Sequence, residues 1–256
     1  MARIAIISDI HADIHALQDA LGMIDALGCD RVVCAGDVVD YGLFPEETIA
    51  LIRARKIPCV RARKIPCVRG NHDRWATSSG GALSDEGRDS AGVDATSWDL
   101  SRAALTWLGS LPTTLRFEIG GTRFLVVHAR PGSDMNGIHE DEPSSTVLDG
   151  WFEDYRADVL VVGHTHAPLA RRADSGALVL NPGTLMREAK YAPDVSLVFD
   201  RGTGKFVRRE PELGTFGVFD TATRELRIVR TAGNGDPARR LPVWTRDASL
   251  RRRGFF

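Results

Sequence analysis

The sequence predicts an α/β protein with a layered sheet and helices packed outside it, and two observations carry that prediction. The chain opens with strand, helix, strand, helix patterning, and short apolar β-branched runs recur along it, each ending in a polar motif. After Val162 the pattern changes to short paired strands around turns, so antiparallel structure dominates the second half. A chain of 256 residues is long enough for one large domain with a sizeable core.

Residues 3 to 8 read as the first strand. Asp13 is an N-cap candidate for a helix running to about Leu27, with Ile14, Leu17, Leu21, Ile24 and Leu27 at helical spacing and Gly28 as its stop. Arg31 to Ala35 is the second strand. Pro45-Glu46-Glu47 opens a second helix with acids in its first turn and Arg53, Arg55 and Lys56 in its last, matching the helix dipole at both ends. Ile65 to Val68 is a short third strand. Residues 76 to 92 are rich in Gly, Ser and Asp and read as loop, followed by an amphipathic helix around Thr96 to Leu108, so that 74 to 112 is expected to form a cap or rim. Strands at 115 to 119 and 123 to 128 flank a Gly120-Gly121 turn. A loop over 131 to 146, a helix over 147 to 155 and a strand at Val159 to Val162 follow. The remaining pairs are Leu169 to Arg172 with Leu178 to Leu180, Ser196 to Asp200 with Lys205 to Arg209, and Phe216 to Phe219 with Glu225 to Val229.

Residues 1 to 232 are thus expected to be one domain. Residues 233 to 256 are rich in arginine and read as a solvated, partly flexible tail in preference to an anion-binding arm. With 33 Lys plus Arg against 34 Asp plus Glu, the charge balance gives no support to a continuous polyanion groove and argues against a long nucleic-acid substrate. Cys29, Cys34, Cys59 and Cys67 show no CxxC spacing and fit reduced, packed thiols. No apolar run approaches the ~18 residues of a membrane span, and the chain is read as cytoplasmic. The sequence allows association of identical copies. Residues 53 to 60 recur unchanged as 61 to 68, a single tandem duplication too short to be a solenoid repeat.

The chemistry lies in five motifs: Asp9-Ile10-His11, Gly36-Asp37-Val38-Val39-Asp40, Gly70-Asn71-His72-Asp73, His128, and Gly163-His164-Thr165-His166. Each follows an apolar run, which places it at the carboxyl end of a strand, the usual edge for a ligand site in an open α/β sheet. Five of the seven histidines stand at these positions. Carboxylate and imidazole are ligands for hard and borderline divalent metals, and the five motifs hold enough of them for two ions.

These motifs, with Asn181-Pro182-Gly183-Thr184, make the chain resemble the calcineurin-like metallophosphoesterases, and their small bacterial and archaeal phosphodiesterase branch most of all. The resemblance covers about residues 1 to 200. It implies a two-sheet αββα sandwich with mixed sheets and helices on both outer faces. It implies a dinuclear site in which Asp9, His11 and His166 hold one metal, Asn71, His128 and His164 the other, and Asp37 bridges. Manganese is the expected metal, although iron, zinc and nickel suit the same ligands. The implied reaction is hydrolysis of a small phosphoester, a diester in preference to a monoester. Hydroxide held between the ions attacks, and His72 protonates the leaving oxygen or steadies the developing charge, oriented by Asp73. A non-catalytic metal-binding scaffold and a phosphomonoesterase are the alternatives.

The chain departs from the family pattern in three places. Ala12 stands where glycine is common after the first histidine. Ala129 stands where glycine usually follows the fourth motif's histidine, and Tyr41 where the protein phosphatase branch has a phosphate-gripping arginine. Asp40 and Asn181 are expected to shape turns or support ligands, Asp13 to cap rather than bind, and His15 to lie on the surface or behind the site. His139 is read as a surface residue, while Arg74 and Arg130 are divided between phosphate contact and surface pairing.

Overall fold

Parallel pairing needs a crossover, and the opening β-α-β pattern supplies it: β1 (Arg3–Ile7) and β2 (Arg31–Cys34) are parallel neighbours joined through α1 (Ile14–Ala26). The computed structural model describes residues 1–42, 44–54, 65–78, 100–187, 196–200, 205–209, 214–231 and 244–246. Its further helices are α2 (Pro45–Ala54), α3 (Asn71–Ser78), α4 (Arg102–Gly109) and α5 (Ser145–Tyr155). The strands continue as β3 (Leu115–Ile119), β4 (Thr122–Val126), β5 (Val159–Val161), β6 (Pro168–Arg172), β7 (Leu178–Pro182), β8 (Ser196–Asp200), β9 (Lys205–Arg209), β10 (Thr215–Asp220), β11 (Glu225–Arg230) and β12 (Trp244–Arg246).

Among the described residues these strands form a sheet ordered β12-β11-β10-β1-β2, a second ordered β3-β4-β5-β7-β6, and the separate hairpin β8-β9. In each large sheet the parallel strands are those that carry the polar motifs, β1 with β2 and β4 with β5 and β7. One face of each sheet meets the other: Ile4, Ile6 and Val33 pack with Phe124, Val126, Val159, Val161, Leu178 and Leu180. The opposite face of the first sheet, with Ala5, Ile7 and Val32, is covered by α1 through Leu17, Leu21 and Ile24 and by residues of α2, α3 and α4. Leu125, Val127, Leu160 and Val179 on the outer face of the second sheet receive Leu148 and Phe152 of α5. The architecture is the αββα sandwich, and because both faces of the inner strands are covered, their sequences are continuously apolar.

Four local readings need correction. The third strand reduces to a bridge in which Cys67 pairs with Cys34, because Pro66 has no N–H to extend a ladder; its carbonyl accepts from Cys34 N at 2.9 Å. Of the helix expected over Thr96 to Leu108, residues 96–99 lie outside the described residues, and the described helix begins at Arg102, where Ser101 with extended backbone accepts a capping bond from Ala104 N. Ala76 to Ser78, expected as loop, complete α3, and the α5 helix starts two residues earlier than expected, at Ser145. The described ends of the expected rim, with Ala76, Leu100, Ala104, Leu108 and Leu111 buried, belong to the helical layer of the first sheet, while 79–99 lie outside the described residues. In the arginine-rich tail, Trp244–Arg246 adds an edge strand to β11. The duplicated segment lies outside the described residues over 55–64. No described helix is long and apolar enough to cross a membrane.

Candidate metal centre

The five motifs come together because they leave neighbouring strand ends of the two sheets. Asp9 and His11 follow β1, Asp37 follows β2, Asn71 and His72 open α3 after the Cys67 bridge, His128 follows β4, and His164 and His166 follow β5. Between them the backbones approach so closely that glycine is required. A methyl group at Gly70 would overlap the carboxylate and amide of Asp37, and one at Gly163 would overlap Ser8 and the Asp9 carboxylate. The turns are tight in a second sense. Asp9, His11, Asp37, His164 and His166 all have left-handed backbone, with φ of 51°, 48°, 52°, 66° and 57°. Such conformations cost non-glycine residues about 1–3 kcal/mol each, and they concentrate at functional sites. Ala12 also adopts φ 56°, so the loop keeps its form without the glycine that is common there.

Among the described residues, three groups that could hold an ion have ligand atoms within 4.8 Å of one another: Asp9, His11 and His166; His11, Asp37 and His72; Asp37, His128 and His164. In the first, His11 Nε2 lies 3.1 Å from His166 Nε2, and His166 Nε2 lies 3.4 Å from Asp9 Oδ1. In the last, His128 Nε2 lies 3.1 Å from Asp37 Oδ2 and 2.9 Å from Asn71 Oδ1, and His164 Nδ1 lies 3.0 Å from the same Asn71 oxygen. The Asp37 carboxylate stands between the groups, with Oδ2 3.9 Å from His11 Nε2 and Oδ1 accepting from His72 N at 3.0 Å.

The imidazoles are aimed. His11 donates Nδ1–H to the Val39 carbonyl at 3.2 Å and His128 donates Nδ1–H to the Ala35 carbonyl at 2.8 Å. Each bond fixes the tautomer and turns Nε2 inward, the arrangement by which outer partners prepare histidine for a metal. Asp9, fully buried, accepts from His164 N at 3.0 Å. Electrostatics agree with the geometry. Burial opposes ionisation of Asp37, but His128 and His72 outweigh it and hold the carboxyl well below the usual range. Burial pushes His11 down to about 3, keeping it neutral. For His128 burial is outweighed by Asp37, which pushes it up to about 10, so its proton balances buried negative charge that a divalent cation would otherwise meet. Ionised carboxylates, an amide oxygen and oriented imidazoles form a donor set that fits such cations.

His72 is held differently from expectation. Its Nδ1 meets the Asp40 carboxylate in a short contact, whereas Asp73 turns away, accepting from Val38 N at 2.9 Å, Val39 N at 3.3 Å and Gly70 N at 2.9 Å. Asp73 therefore braces the second motif against the third, and Asp40 orients the histidine. Burial works against charge on His72, but Asp37 and Asp40 raise its pKa above the ordinary value. The Tyr41 ring lies 4.7 Å from His11 and 4.9 Å from His72.

The supporting role expected of Asn181 takes a definite form, and Thr184 and Arg187 are the groups that the sequence reading missed. Asn181, fully buried, donates Nδ2–H to the Gly163 carbonyl at 2.7 Å and to Thr165 Oγ1 at 3.1 Å, and Thr184 donates Oγ1–H to the Asp9 carbonyl at 2.8 Å. The end of β7 and the turn after it thus tie down both loops that carry Asp9, His164 and His166. The Asn-Pro-Gly-Thr run signals a turn, but nothing in it says what the turn grips. Asp13 caps α1 through Ala16 N and forms a two-pronged pair with Arg187 at 2.7 and 2.9 Å. Arg74 is engaged by Asp134, Arg130 pairs through its backbone with Ser133, His15 rests edge-on against Phe44, and His139 is exposed.

Over residues 2–204 the chain matches the model of the calcineurin-like phosphoesterase superfamily domain. An uncharacterized protein of Methanocaldococcus jannaschii is 29% identical over 259 residues, with 94% of each chain covered. Among solved structures, a metallophosphoesterase from Sphaerobacter thermophilus is 26% identical with a TM-score of 0.60, covering 91% of this chain and 89% of that one. A hypothetical protein from Pyrococcus horikoshii OT3 shares the fold, with a TM-score of 0.66, 19% identity, and 92% and 90% of the two chains covered.

Proposed function

The chain belongs to the calcineurin-like phosphoesterase superfamily, a metal-dependent phosphoesterase family, and from that premise we propose that it hydrolyses small phosphodiesters with two divalent ions. One observation carries the reading: a single buried carboxylate, Asp37, stands between two groups of inward-turned imidazoles. Asp9, His11 and His166 would hold one ion, Asn71, His128 and His164 the other, and Asp37 would serve both. Bound there, such ions lower the pKa of water and neutralise charge on the phosphoryl oxygens, with manganese as the proposed metal.

The protein's own part begins with His72. Asp40 occupies Nδ1, so Nε2 is the nitrogen that can give a proton to a departing alkoxide, and the upward shift of the His72 pKa by Asp37 and Asp40 favours the protonated form that this role needs. Asp37 accepts from His72 N, which fixes the distance between acid and metal ligands. Asn181 and Thr184 hold the loops on which the remaining ligands sit. The diester preference is supported by charge. Arg74 and Arg187 are engaged by Asp134 and Asp13, and Tyr41 beside His72 is neutral, so neither of these arginines is free to reward a monoester's second negative charge.

The test is metal analysis of the purified protein together with turnover on matched mono- and diesters. Asp37→Asn is expected to lose bound metal and at least about 100-fold in turnover while keeping its circular dichroism spectrum, the order seen when a charge-stabilising group is removed. Full turnover in Asp37→Asn with metal retained would remove the dinuclear reading.

A further inference from the structure

We propose that Tyr41 and Trp75 form a leaving-group subsite for a flat ring, so that the esters this protein handles are those of aryl or nucleoside alcohols. The proposal rests on the phosphoester reading above and names the substrate class for the same site.

The two rings flank His72. Trp75 lies 4.7 Å from it, at an interplanar angle of 66°, and Tyr41 lies 4.9 Å from it on a 51° tilt. Tyr41 also touches the ring of His11 at 4.7 Å, which joins this wall to the metal ligands. An oxygen that receives its proton from His72 Nε2 brings its own substituent alongside these rings. Trp75 follows His72 by three positions in α3 and so shares its side of the helix. Arg74 stands 6.0 Å from the Trp75 ring and is paired with Asp134.

These rings are placed differently from the aromatic residues of the core. The aromatic residues that fill the core, Phe124, Phe216 and Phe219, are fully buried, whereas Tyr41 and Trp75 are only half-buried at the mouth of a polar site. Tyr41 holds φ 60°, a conformation that costs a bulky side chain and that glycine or asparagine would adopt more easily. A neutral aromatic surface gains from stacking on a flat ring through dispersion and ring electrostatics, and far less from a flexible alkyl chain.

The experiment compares two diesters whose leaving alcohols are equally acidic, one aryl and one fluoroalkyl, on the metal-loaded full chain and on Trp75→Leu and Tyr41→Gly. Equal acidity removes the contribution of His72 from the comparison. The variants are expected to lose about tenfold more kcat/KM on the aryl ester than on the alkyl ester, within the range for one stacked ring. Calorimetry then compares a nucleoside 5′-monophosphate with ribose 5-phosphate on the unaltered protein and on Trp75→Leu. The nucleotide is expected to bind about tenfold more tightly to the former, with that advantage lost in the latter. Equal losses on both esters, or equal affinity of the unaltered protein for the two phosphates, would overturn the subsite. A retained nucleotide advantage without hydrolysis of either ester would support the subsite and count against the hydrolase reading instead.

Discussion

His72 shows how a site residue can be identified from sequence while its partner is not. The proposed ligands Asp9, His11, Asp37, Asn71, His128, His164 and His166 are legible because each follows an apolar run, and strand ends converge by topology. Spacing along the chain suggests the neighbouring Asp73 as the partner of His72. The fold instead brings Asp40 from 32 positions away and spends Asp73 on three backbone amides. Nor do side-chain identities announce the left-handed backbone at five of the seven proposed ligands, where carboxylate and imidazole stand in positions that glycine would occupy more comfortably. Asp40→Asn separates orientation from charge. Asparagine tolerates the φ of 83° at this position and can still accept from Tyr41 N, so the loop should survive. The His72 pKa is raised in the folded protein, hence its proton is lost as pH rises through that value. Removing the Asp40 charge lowers the value. The alkaline limb of kcat should therefore move to lower pH with metal content unchanged, as a pH profile with parallel metal analysis would register. An unmoved limb would detach Asp40 from the acid.

At the scale of single elements, local physics decided most of what could be read. The α1 cap at Asp13, the stop at Gly28 with φ 63°, and the Gly120-Gly121 turn with φ 59° and 75° are properties of a few neighbouring residues, and they stand as the sequence implied. Pro66 shortened a strand into a bridge, and the start of α4 depended on which serine or threonine met the first free amides; competition between nearby candidates is weakly encoded. The Asp13 to Arg187 pair joins α1 to the segment after β7, a contact that no periodicity reports. Burial raises the Asp13 pKa, but the bonds from Arg187 and Ala16 outweigh it and leave the carboxyl below its ordinary value. Its contribution is therefore complete above about pH 4 and fades as pH falls through the folded-state value. Asp13→Ala should cost roughly 2 kcal/mol at pH 7, from the lost cap and a partly buried charged hydrogen bond. In urea unfolding the gap from the unaltered protein should narrow toward pH 3. A gap that stays constant with pH would mean that the carboxylate charge plays no part.

Over the whole molecule, the two sheets and their helical layers were implied by the opening β-α-β-α pattern and the family resemblance. The edge strand Trp244–Arg246 was not, because an arginine-rich stretch has little apolar pattern and gains its place by backbone pairing with β11. The tandem duplication poses the largest test of how the fold distributes constraint. Helix α2 ends at Ala54, and among the described residues that follow it Cys67 pairs with Cys34, just before the Gly70-Asn71-His72-Asp73 motif. Both anchors are set by contacts outside the repeat: α2 through Ile49 and Ile52 in the core, Cys67 through the ladder with β2. Because residues 53 to 60 and 61 to 68 are identical, deleting either copy yields the same chain, in which α2 would run through Arg-Ala and connect to Ile65 by Arg63-Lys64. A two-residue connection between helix and strand is of ordinary length, and shortening a loop recovers closure entropy at about 0.6 kcal/mol per halving. The shortened protein should therefore keep its metal content and turnover, with a melting temperature equal to or a few degrees above that of the full chain. Loss of metal on deletion would mean that the first copy helps hold the Cys67 bridge in register, and that the strand end presenting Asn71 and His72 depends on it.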